Sequence, residues 1–448
     1  MRETRSRSHA TALMIMLMHM SKFRIDDSDA PVTHDGWAPI SNTKVDPSVA
    51  ATDVKKQAID AWKLAERKLT ELLQCDQLMC LTGLGTSLCV KKTDGKMIFP
   101  TMGGLWALVK AAVGAATFEK VCEHVNHGTG GNIEDLLSRC FMAVELAPKS
   151  PASGSASPDI ATFIKTAEAT IVGACRQELK LEETATHEEF LRRLTRRAPR
   201  SPRACLFTTN YDLCFEVAAA RIGLTVIDGF SFSTPPRFQS EMFDYDVVTG
   251  SSYSKEPDFI PRLLRLFKLH GSVDWHTGVD SIEKKADTNR PVLIYPQYGK
   301  YAASYSPPFL EVMSRFQGML RHRNVGLLIT GCGLNDLHLA EPILAAIKSN
   351  TSLRVAVCSP DLCDLDAKNL YGKTEVKDAA PTNKVLGQLH QLLQNGDSRL
   401  TLVNGFFPDL VKLMPMLSGQ TDADQHESRI KALETWVAKQ RLDKGVGA

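Results

Sequence analysis

Two apolar runs in this sequence are followed directly by polar side chains that could do chemistry. The run "ACLF" leads into "TTNYD", which contains Asn210 and Asp212, and the run "LFKL" leads into His270. An amide can orient a water molecule or a hydroxyl group, and an imidazole can take up a proton near neutral pH. Because ligands of open α/β sheets bind at the carboxyl ends of the strands, these positions predict a site at that edge.

Two glycine-rich turns follow apolar runs in the same way. "GLGTS" at residues 83–87 has the pattern G-x-G-x-S, and "TGCGLND" at residues 330–336 has two glycines before Asn335 and Asp336. Glycines let a backbone approach a pyrophosphate, and backbone amides supply the hydrogen-bond donors. The third glycine of the G-x-G-x-x-G fingerprint is missing, since Leu88 stands there. A plain turn between strand and loop therefore remains the alternative.

The polar residues also have structural interpretations, which the sequence leaves open. Asn210 would cap a helix that begins at the next residue, and Asp212 would be a structural group at that helix start, where negative charge is favoured. Asn335 and Asp336 would cap the helix "LHLAEPILAAI". His270 would be a satisfied structural histidine, although the Gly-Ser that follows it predicts a tight turn that presents the ring.

Short apolar runs alternate with helical segments from residue 204 onward. Continuous apolar strands interleaved with helices predict an α/β fold with a mostly parallel sheet that is covered on both faces. We assign seven runs to this sheet: "ACLFTTN", "LTVIDGF", "LRLFKLHG", "PVLIYP", "NVGLLITGCG", "LRVAVCS" and "LTLVNGF". The run near residue 80 would be the first strand of the sheet. Helices are expected at 212–221, 309–322, 338–348 and 384–394.

The rest of the chain divides into segments with different patterns. Residues 1–48 are polar and irregular, and 49–77 have apolar residues at the spacing of an amphipathic helix. The main domain is expected over 78–415, with a helical block at about 101–200 inserted between its first and second strands. Residues 416–448 form a polar helical tail.

The charge balance gives no overall reason to expect a nucleic-acid partner. The 448 residues include 53 Lys and Arg against 51 Asp and Glu, so the formal charge is only +2. A local basic run, "LRRLTRRAPRSPR" at 191–203, is either a solvated helix end and loop or a contact for a phosphate or a partner.

The cysteines and the N-terminus bear on the compartment. None of the 11 cysteines is spaced as C-x-x-C, so the sequence gives no support for a ribbon-type zinc site and indicates a reduced, cytoplasmic chain. Basic residues followed by the apolar stretch Ala12–Met20 superficially resemble a secretory signal. The stretch is too short to span a bilayer and no clean cleavage site follows, so we favour a disordered tail or a partner-binding helix.

The motifs G-x-G-x-S, "TTNYD", "KLHGS" and "GCGLND", in this order, resemble the sirtuin family, and specifically its sirtuin-like (Sir2-type) branch in bacterial anti-phage defence. The resemblance covers about residues 78–415 and implies a Rossmann-like sheet that binds NAD+, with an inserted helical subdomain. It implies Asn210 and His270 as catalytic residues. The NAD+-binding positions that it implies are Gly83, Gly85, Thr86, Ser87, Asp212, Gly331, Gly333 and Asn335. "NIEDLL" at 132–137 also resembles a segment of this branch, to which we assign only a possible helix start.

Two departures from the protein-deacylating sirtuins bear on the reaction. Those enzymes resemble one another in a four-cysteine zinc ribbon, for which this chain lacks the spacing, so no zinc is expected. Their acyl-lysine groove depends on a hydrophobic strand after the catalytic histidine, where this chain has the polar "GSVDWHTGVDSIEKKAD". We therefore expect an NAD+ hydrolase that releases nicotinamide and ADP-ribose. The alternatives are a non-catalytic module that binds NAD or ADP-ribose and, less favoured, an NAD-dependent deacylase.

The resemblance also implies a biological setting. Proteins of this branch are similar to effectors of antiviral defence that deplete NAD+ and halt the infected cell, under the control of oligomerisation or of a partner. Partners in the branch include a HerA-like ATPase, a short Argonaute or a phage protein, and the HerA-like ATPase is our first expectation. We expect a homo-oligomer that binds neither a membrane nor nucleic acid directly.

Overall fold

The computed structural model describes most of the chain between residues 63 and 417. The described residues are 63–128, 131–146, 159–198, 200–250, 258–288, 291–293, 307–362 and 383–417, with strand residues 16–19 and 37–40 and helical positions 429, 430 and 433. The predictions made for the N-terminal extension and the C-terminal tail lie mostly outside these residues, but the irregular extension predicted for 1–48 is wrong at Met16–His19 and Trp37–Ile40, which pair as antiparallel strands. No described helix is long and apolar enough to cross a membrane.

The secondary structure follows the predicted alternation of strands and helices. The described strands are β1 (Met16–His19), β2 (Trp37–Ile40), β3 (Gln77–Thr82), β4 (Ala204–Thr208), β5 (Thr225–Ile227), β6 (Val248–Thr249), β7 (Asp258–Phe259), β8 (Leu263–Lys268), β9 (Gly271–Thr277), β10 (Ile282–Lys284), β11 (Pro291–Leu293), β12 (Val325–Thr330), β13 (Arg354–Cys358) and β14 (Leu400–Val403). The described helices are α1 (63–73), α2 (Leu84–Ser87), α3 (Met102–Val113), α4 (Ala115–His124), α5 (Ile133–Leu146), α6 (Ile160–Cys175), α7 (Ala185–Leu194), α8 (Cys214–Arg221), α9 (Phe309–Met319), α10 (Leu337–Ser349), α11 (Lys384–Gln394) and α12 (Phe407–Leu413).

A seven-stranded parallel sheet forms the centre of the protein. Its strand order is β14-β13-β12-β3-β4-β8-β5, and each neighbouring pair is parallel. The first strand of this sheet along the chain, β3, lies in the middle, and the order reverses between β3 and β12. Ligands of open α/β sheets bind outside the carboxyl ends of the strands at such a switch point. Both glycine-rich turns follow the two strands that flank it.

Helices cover both faces of this sheet, which confirms the predicted Rossmann-like α/β fold. One apolar layer packs α9, α10 and α11 on the sheet, around fully buried residues such as Phe316 and Leu339. The other layer packs α1, α7, α8 and α12 on the opposite face, around Leu69 and Phe190. Because both faces are covered, the strands are mostly apolar instead of alternating.

The helical insertion between β3 and β4 has an apolar core of its own. Helices α3–α6 pack around Phe118, Leu136 and Phe163, all almost fully buried. Arg176, directly after α6, donates from its Nη2 to the backbone oxygens of Val273 at 2.6 Å and Thr288 at 2.8 Å. The insertion is therefore tied to the segment that follows His270. Helix α7, at the end of the predicted insertion, packs against the sheet instead.

Two sequence interpretations of strands are wrong. "PVLIYP" does not join the central sheet: its described part, β11, pairs antiparallel with β9 in a separate three-stranded sheet. The stretch after His270, interpreted as polar, forms β9 with Val273 and Trp275 almost fully buried. Period-two alternation accounts for this, since one face of β9 is apolar and the other polar. This stretch therefore gives no argument against an acyl-lysine groove.

Two arginines of the basic run at 191–203 are tied into the protein, whereas Arg200 is exposed. Arg197 donates to the backbone oxygens of Leu73, Cys75 and Asp76 over 2.6 to 3.0 Å. Arg203, which is buried, holds Asp246 through two bonds of 2.9 Å. These guanidinium groups satisfy carbonyls and a carboxylate at the amino edge of the sheet.

Candidate active site

The loops after β3, β4 and β8 are bonded to one another at the carboxyl edge of the sheet. The amide of Thr209 donates to Thr82 O at 3.1 Å, and the amide of Leu269 donates to Thr208 O at 2.8 Å. A further bond of 3.0 Å joins the amide of Val273 to Tyr211 O. These backbone bonds fix the positions of Asn210 and His270 relative to each other and to the first glycine-rich turn.

The two glycine-rich turns pack backbone against backbone. Gly85 donates its amide to Gly331 O at 2.8 Å. A Cβ on Gly85 would lie 2.7 Å from the Cα of Gly331, and one on Gly331, where φ is +61°, would lie 2.5 Å from the amide nitrogen of Thr86. This contact requires glycine at both positions whatever binds beside them. The amide of Thr86 also has an internal acceptor, Gly83 O at 2.9 Å.

The carboxamide of Asn210 has its orientation dictated by two hydroxyl groups. Its Nδ2 lies 3.0 Å from Thr86 Oγ1 and 2.8 Å from Ser87 Oγ. The Thr86 hydroxyl already donates to Gly83 O at 2.9 Å, and the Ser87 hydroxyl donates to Asp212 Oδ2 at 2.6 Å. Both hydroxyls can therefore only accept, so the NH2 group must face them. Oδ1 points elsewhere and accepts no hydrogen bond from the residues that the structure describes.

Asp212, and not Asn210, takes the structural role at the helix start. The helix begins at Cys214, later than predicted, and the amide of Cys214 donates to Asp212 Oδ1 at 3.0 Å. The interpretation of Asn210 as a cap is thus wrong, because its side chain turns towards the first glycine-rich turn. The ammonium group of Lys268 adds a bond to Asp212 O and a salt bridge of 3.1 Å to Glu216.

Lys268 and Glu216 form an ion pair beneath the site. Lys268 is buried, with 3% of its surface exposed. Burial raises the pKa of Glu216, and the nearby ammonium of Lys268 opposes that shift. The pair anchors helix α8 to strand β8, and hence the loop of Asn210 to the loop of His270.

His270 lies in the two-residue turn between β8 and β9. Gly271 has φ +88°, and a Cβ there would lie 2.1 Å from Val292 O of β11, so this position requires glycine. The ring of His270 is only 3% exposed, and the prediction that the turn presents it to solvent is therefore wrong. Its Nε2 lies 3.2 Å from Nε2 of His338, in the first turn of α10, with the ring centroids 5.4 Å apart.

Asn335 is bonded to a residue that the sequence did not single out. Asn383 donates from Nδ2 to Asn335 Oδ1 at 2.6 Å and to Gly333 O at 2.8 Å. Its Oδ1 accepts from the first amides of α11. Asp336 is the N-cap residue of α10, and no side-chain capping bond to that helix is found. The second glycine-rich turn is thus held by the start of α11.

Asn132 confirms the helix start predicted for "NIEDLL". Its Oδ1 accepts from the amides of Glu134 and Asp135, at 3.0 and 3.3 Å, at the beginning of α5. This is the N-cap geometry that asparagine favours.

The described residues offer neither a reactive thiol nor a cluster of metal ligands. The ten described cysteines are free thiols, and burial raises the pKa of Cys89 and of Cys175 to about 12 and that of Cys332 to about 11. These cysteines are thus protonated at neutral pH and poor nucleophiles. Among the residues that the structure describes, no group of three or more His, Cys, Asp or Glu side chains could hold a metal ion.

The comparison with protein families bears on this arrangement of Asn210 and His270 at a sheet switch point. Residues 204–368 match the model of the SIR2-like domain. This match supports a Sir2-type family for the chain, and SIR2-like domains are in general NAD-dependent enzymes. A search of curated proteins finds no match to the chain.

The SIR2-like segment contains both catalytic candidates but not the first glycine-rich turn. Asn210 and His270 lie within 204–368, whereas Thr86 and Ser87, which orient Asn210, come from outside it. The roles predicted for the site residues in NAD+ binding and catalysis stay predictions. The structure connects Thr86, Ser87, Asn210 and Asp212 by hydrogen bonds. It also packs the backbones of Gly83 and Gly85 against that of Gly331.

Sequence reasoning missed two side chains at the site, His338 and Asn383. His338 follows the "GLND" turn and was counted only as part of a helix. A histidine two residues after an N-cap at the carboxyl edge was the available signal. Asn383 gave the ordinary signal of a helix cap, and its sequence position carries no sign of the contact with Asn335.

Proposed function

We propose that the chain is an NAD+ glycohydrolase, which converts NAD+ and water into nicotinamide and ADP-ribose. The observation that carries the proposal is the fixed orientation of Asn210, whose Oδ1 faces away from Thr86 and Ser87 while His270 sits on the adjoining loop. The SIR2-like match supports NAD-related activity, and the hydrolytic outcome is the step that we add to it.

The role proposed for Asn210 is to orient a hydroxyl group or a water molecule. A carbonyl oxygen is an acceptor only, so the partner must be an O–H group that donates to it. Cleavage of an N-glycosidic bond develops positive, oxocarbenium-like charge on the ribose, as in glycoside hydrolysis. Because two hydroxyl groups already hold the Asn210 carboxamide in place, its oxygen needs no reorientation when that charge develops.

The role proposed for His270 is to take up a proton. Nicotinamide leaves as a neutral group, so its departure requires no acid, and the remaining demand is removal of a proton from water or from a ribose hydroxyl. An imidazole is suited to this near neutral pH. The buried position of the ring excludes bulk water, which would otherwise compete for the same nitrogen atoms.

The residues at the switch point fit NAD+ as a substrate. Two glycine turns meet there without side chains between them, and Asn210 and His270 lie on the neighbouring loops. The pyrophosphate is proposed to contact the turn of residues 83–87, and the adenosine end the turn of Gly331, Gly333 and Asn335. Thr86, Ser87 and Asp212 would then act on the substrate chiefly through Asn210.

The biological role that we propose is defence by NAD+ depletion. An enzyme of this kind would be lethal if always active, so we propose control by homo-oligomerisation or by a separately encoded partner. A HerA-like ATPase is the first candidate partner, and a short Argonaute or a phage protein is the alternative. This step rests on analogy within the branch.

The test is NAD+ consumption by the purified chain, with and without a HerA-like ATPase, followed by chromatography of nicotinamide and ADP-ribose. Wild type would be compared with Asn210→Ala and His270→Ala, and with Asn395→Ala, an exposed asparagine at the end of α11, as the matched control. We expect both site variants to lose activity by a factor on the order of 100 or more, and the control to keep it.

Two other outcomes would redirect the proposal. NAD+ that binds but survives in every mixture would favour a binding module. An acetyl-lysine peptide in the same assay distinguishes the deacylase: product that carries the acetyl group, formed only with the peptide present, would replace hydrolysis by acyl transfer.

A further inference from the structure

His270 and His338 face each other through the same ring nitrogen. Their Nε2 atoms are 3.2 Å apart, and the ring planes are inclined by 30°. A neutral imidazole has one N–H donor and one acceptor nitrogen. A hydrogen bond between two Nε2 atoms therefore requires that one of them, and not both, carries the proton.

Hydrogen bonds fix the backbone segments that carry the two rings. His270 is clamped on either side by the bonds of Leu269 to Thr208 O and of Val273 to Tyr211 O. His338 precedes Leu339, which is fully buried and donates its amide to Asp336 O at 3.0 Å. The contact thus joins the turn after β8 to the start of α10 at the carboxyl edge of the sheet.

We infer that His338 is a positioning residue for His270: it shares one proton with Nε2 of that ring, which restrains the orientation of His270 and couples its tautomer to that of His338. Which nitrogen of a histidine is basic is set by the hydrogen bond that the other nitrogen makes. The same logic holds in serine proteases, where a wrong tautomer lowers kcat although the geometry is intact. The catalytic consequence rests on the proposed NAD+ hydrolysis, whereas the tautomer itself does not.

The first measurement is therefore spectroscopic. The full chain labelled with 15N-histidine would be recorded by NMR, and the ring signals of His270 assigned from their absence in His270→Ala. We expect one tautomer of His270 in the wild type, a mixture of two in His338→Phe, and recovery of one in His338→Gln, whose carboxamide can donate or accept. The same His270 spectrum in the wild type and in His338→Phe would overturn the inference.

The second measurement is kinetic, with NAD+ as the substrate. For His338→Phe we expect kcat to fall about tenfold or more with KM changed less than about twofold, and for His338→Gln a partial return. His322→Phe, an exposed histidine before β12 and far from the carboxyl edge, is the matched control and should behave as wild type. Unchanged kcat in His338→Phe would also count against the inference.

The two measurements separate the proposals. A wild type that consumes no NAD+ in any mixture defeats the proposed function, while the tautomer of His270 still decides the role of His338. A His338→Phe variant that unfolds is replaced in both measurements by His338→Gln, compared with His338→Ala.

Discussion

Asn210 and Ser87, which are 123 residues apart in sequence, are joined by an N–H···O bond of 2.8 Å. The serine hydroxyl in turn donates a hydrogen bond to Asp212 Oδ2, so three side chains form a chain with a single direction of donation. Ser87 is fully buried. Its hydroxyl is therefore committed to the protein, and the direct effect of removing it falls on Asn210.

Ser87→Ala tests whether this serine positions Asn210 or binds substrate. The change leaves the Asn210 amide with one acceptor and Asp212 without the donor to its Oδ2. We expect kcat for NAD+ hydrolysis to fall about tenfold or more with KM nearly unchanged, because misorientation acts on the reacting centre. A rise in KM at constant kcat would instead mark Ser87 as a phosphate contact. Ser233→Ala, at an exposed loop position, is the control.

Asp212→Asn tests the direction of donation along the same chain. An amide nitrogen in place of Oδ2 would face a hydroxyl that already accepts from Asn210, so the Ser87 proton would lose its acceptor. If the new amide turns its oxygen to Ser87 instead, its NH2 group meets the amide of Cys214. In either orientation the NH2 group of the new side chain faces another hydrogen-bond donor, from Ser87 or from the amide of Cys214. We therefore expect a loss of activity of at least about tenfold. Full activity of Asp212→Asn would contradict the assigned direction.

Gly331→Ala tests the contact between the two glycine turns. The new Cβ would lie 2.5 Å from the amide nitrogen of Thr86, at φ +61°. Gly223, with φ +64° and nothing within 4 Å of its Cβ position, isolates the cost of the backbone angle. We expect about 1 kcal/mol of destabilisation for Gly223→Ala and about 3 kcal/mol for Gly331→Ala, measured by urea unfolding. Equal losses would show that the turns separate easily.

His187→Phe tests a buried imidazole with an unmet hydrogen-bonding demand. Both ring nitrogens of His187 are buried without a hydrogen-bond partner among the described residues, and the ring packs against Phe215 and Phe407. Burial lowers the pKa of His187 from 6.5 to about 4. Between pH 6.5 and pH 4, His187 is protonated in the unfolded chain but neutral in the folded chain. The free energy of unfolding therefore falls as the pH falls through this range.

For the wild type this linkage is about 2 kcal/mol of unfolding free energy lost between pH 7 and pH 5. His187→Phe should lack that part of the pH dependence, and it should be no less stable than the wild type at pH 7, since an apolar ring needs no partner. Urea unfolding at both pH values measures the difference. His124→Phe, at an exposed position, should keep the wild-type pH dependence.

Apolar continuity was enough to predict the sheet. The runs that became β3, β4, β8, β12 and β13 are mostly apolar and do not alternate with period two, because both faces of the sheet are covered. The run that became β11 has the same composition and belongs elsewhere. The apolar composition of a run predicts that it is buried, whereas the sheet it joins depends on strands that are distant in the chain.

The candidate site was predicted in its residue types but not in its geometry. Asn210 and His270 were found because each ends an apolar run. The orientation of Asn210 depends on where two hydroxyl protons go, and the ring of His270 is in contact with His338, which lies 68 residues later in the chain. These are contacts between separate segments, for which one sequence contains no local pattern.

The central position of β3 has a consequence for the order in which the protein can be built. Thr82 of β3 donates a hydrogen bond to Phe207 O, 125 residues later, so the first strand of the central sheet has no neighbour in that sheet until β4 is synthesised. Its other neighbour, β12, is synthesised later still. During that interval both edges of an apolar strand are exposed, which is the state in which nascent chains aggregate or recruit chaperones. The helical insertion is synthesised between β3 and β4, and because it has its own apolar core it can fold while β3 waits for its neighbours.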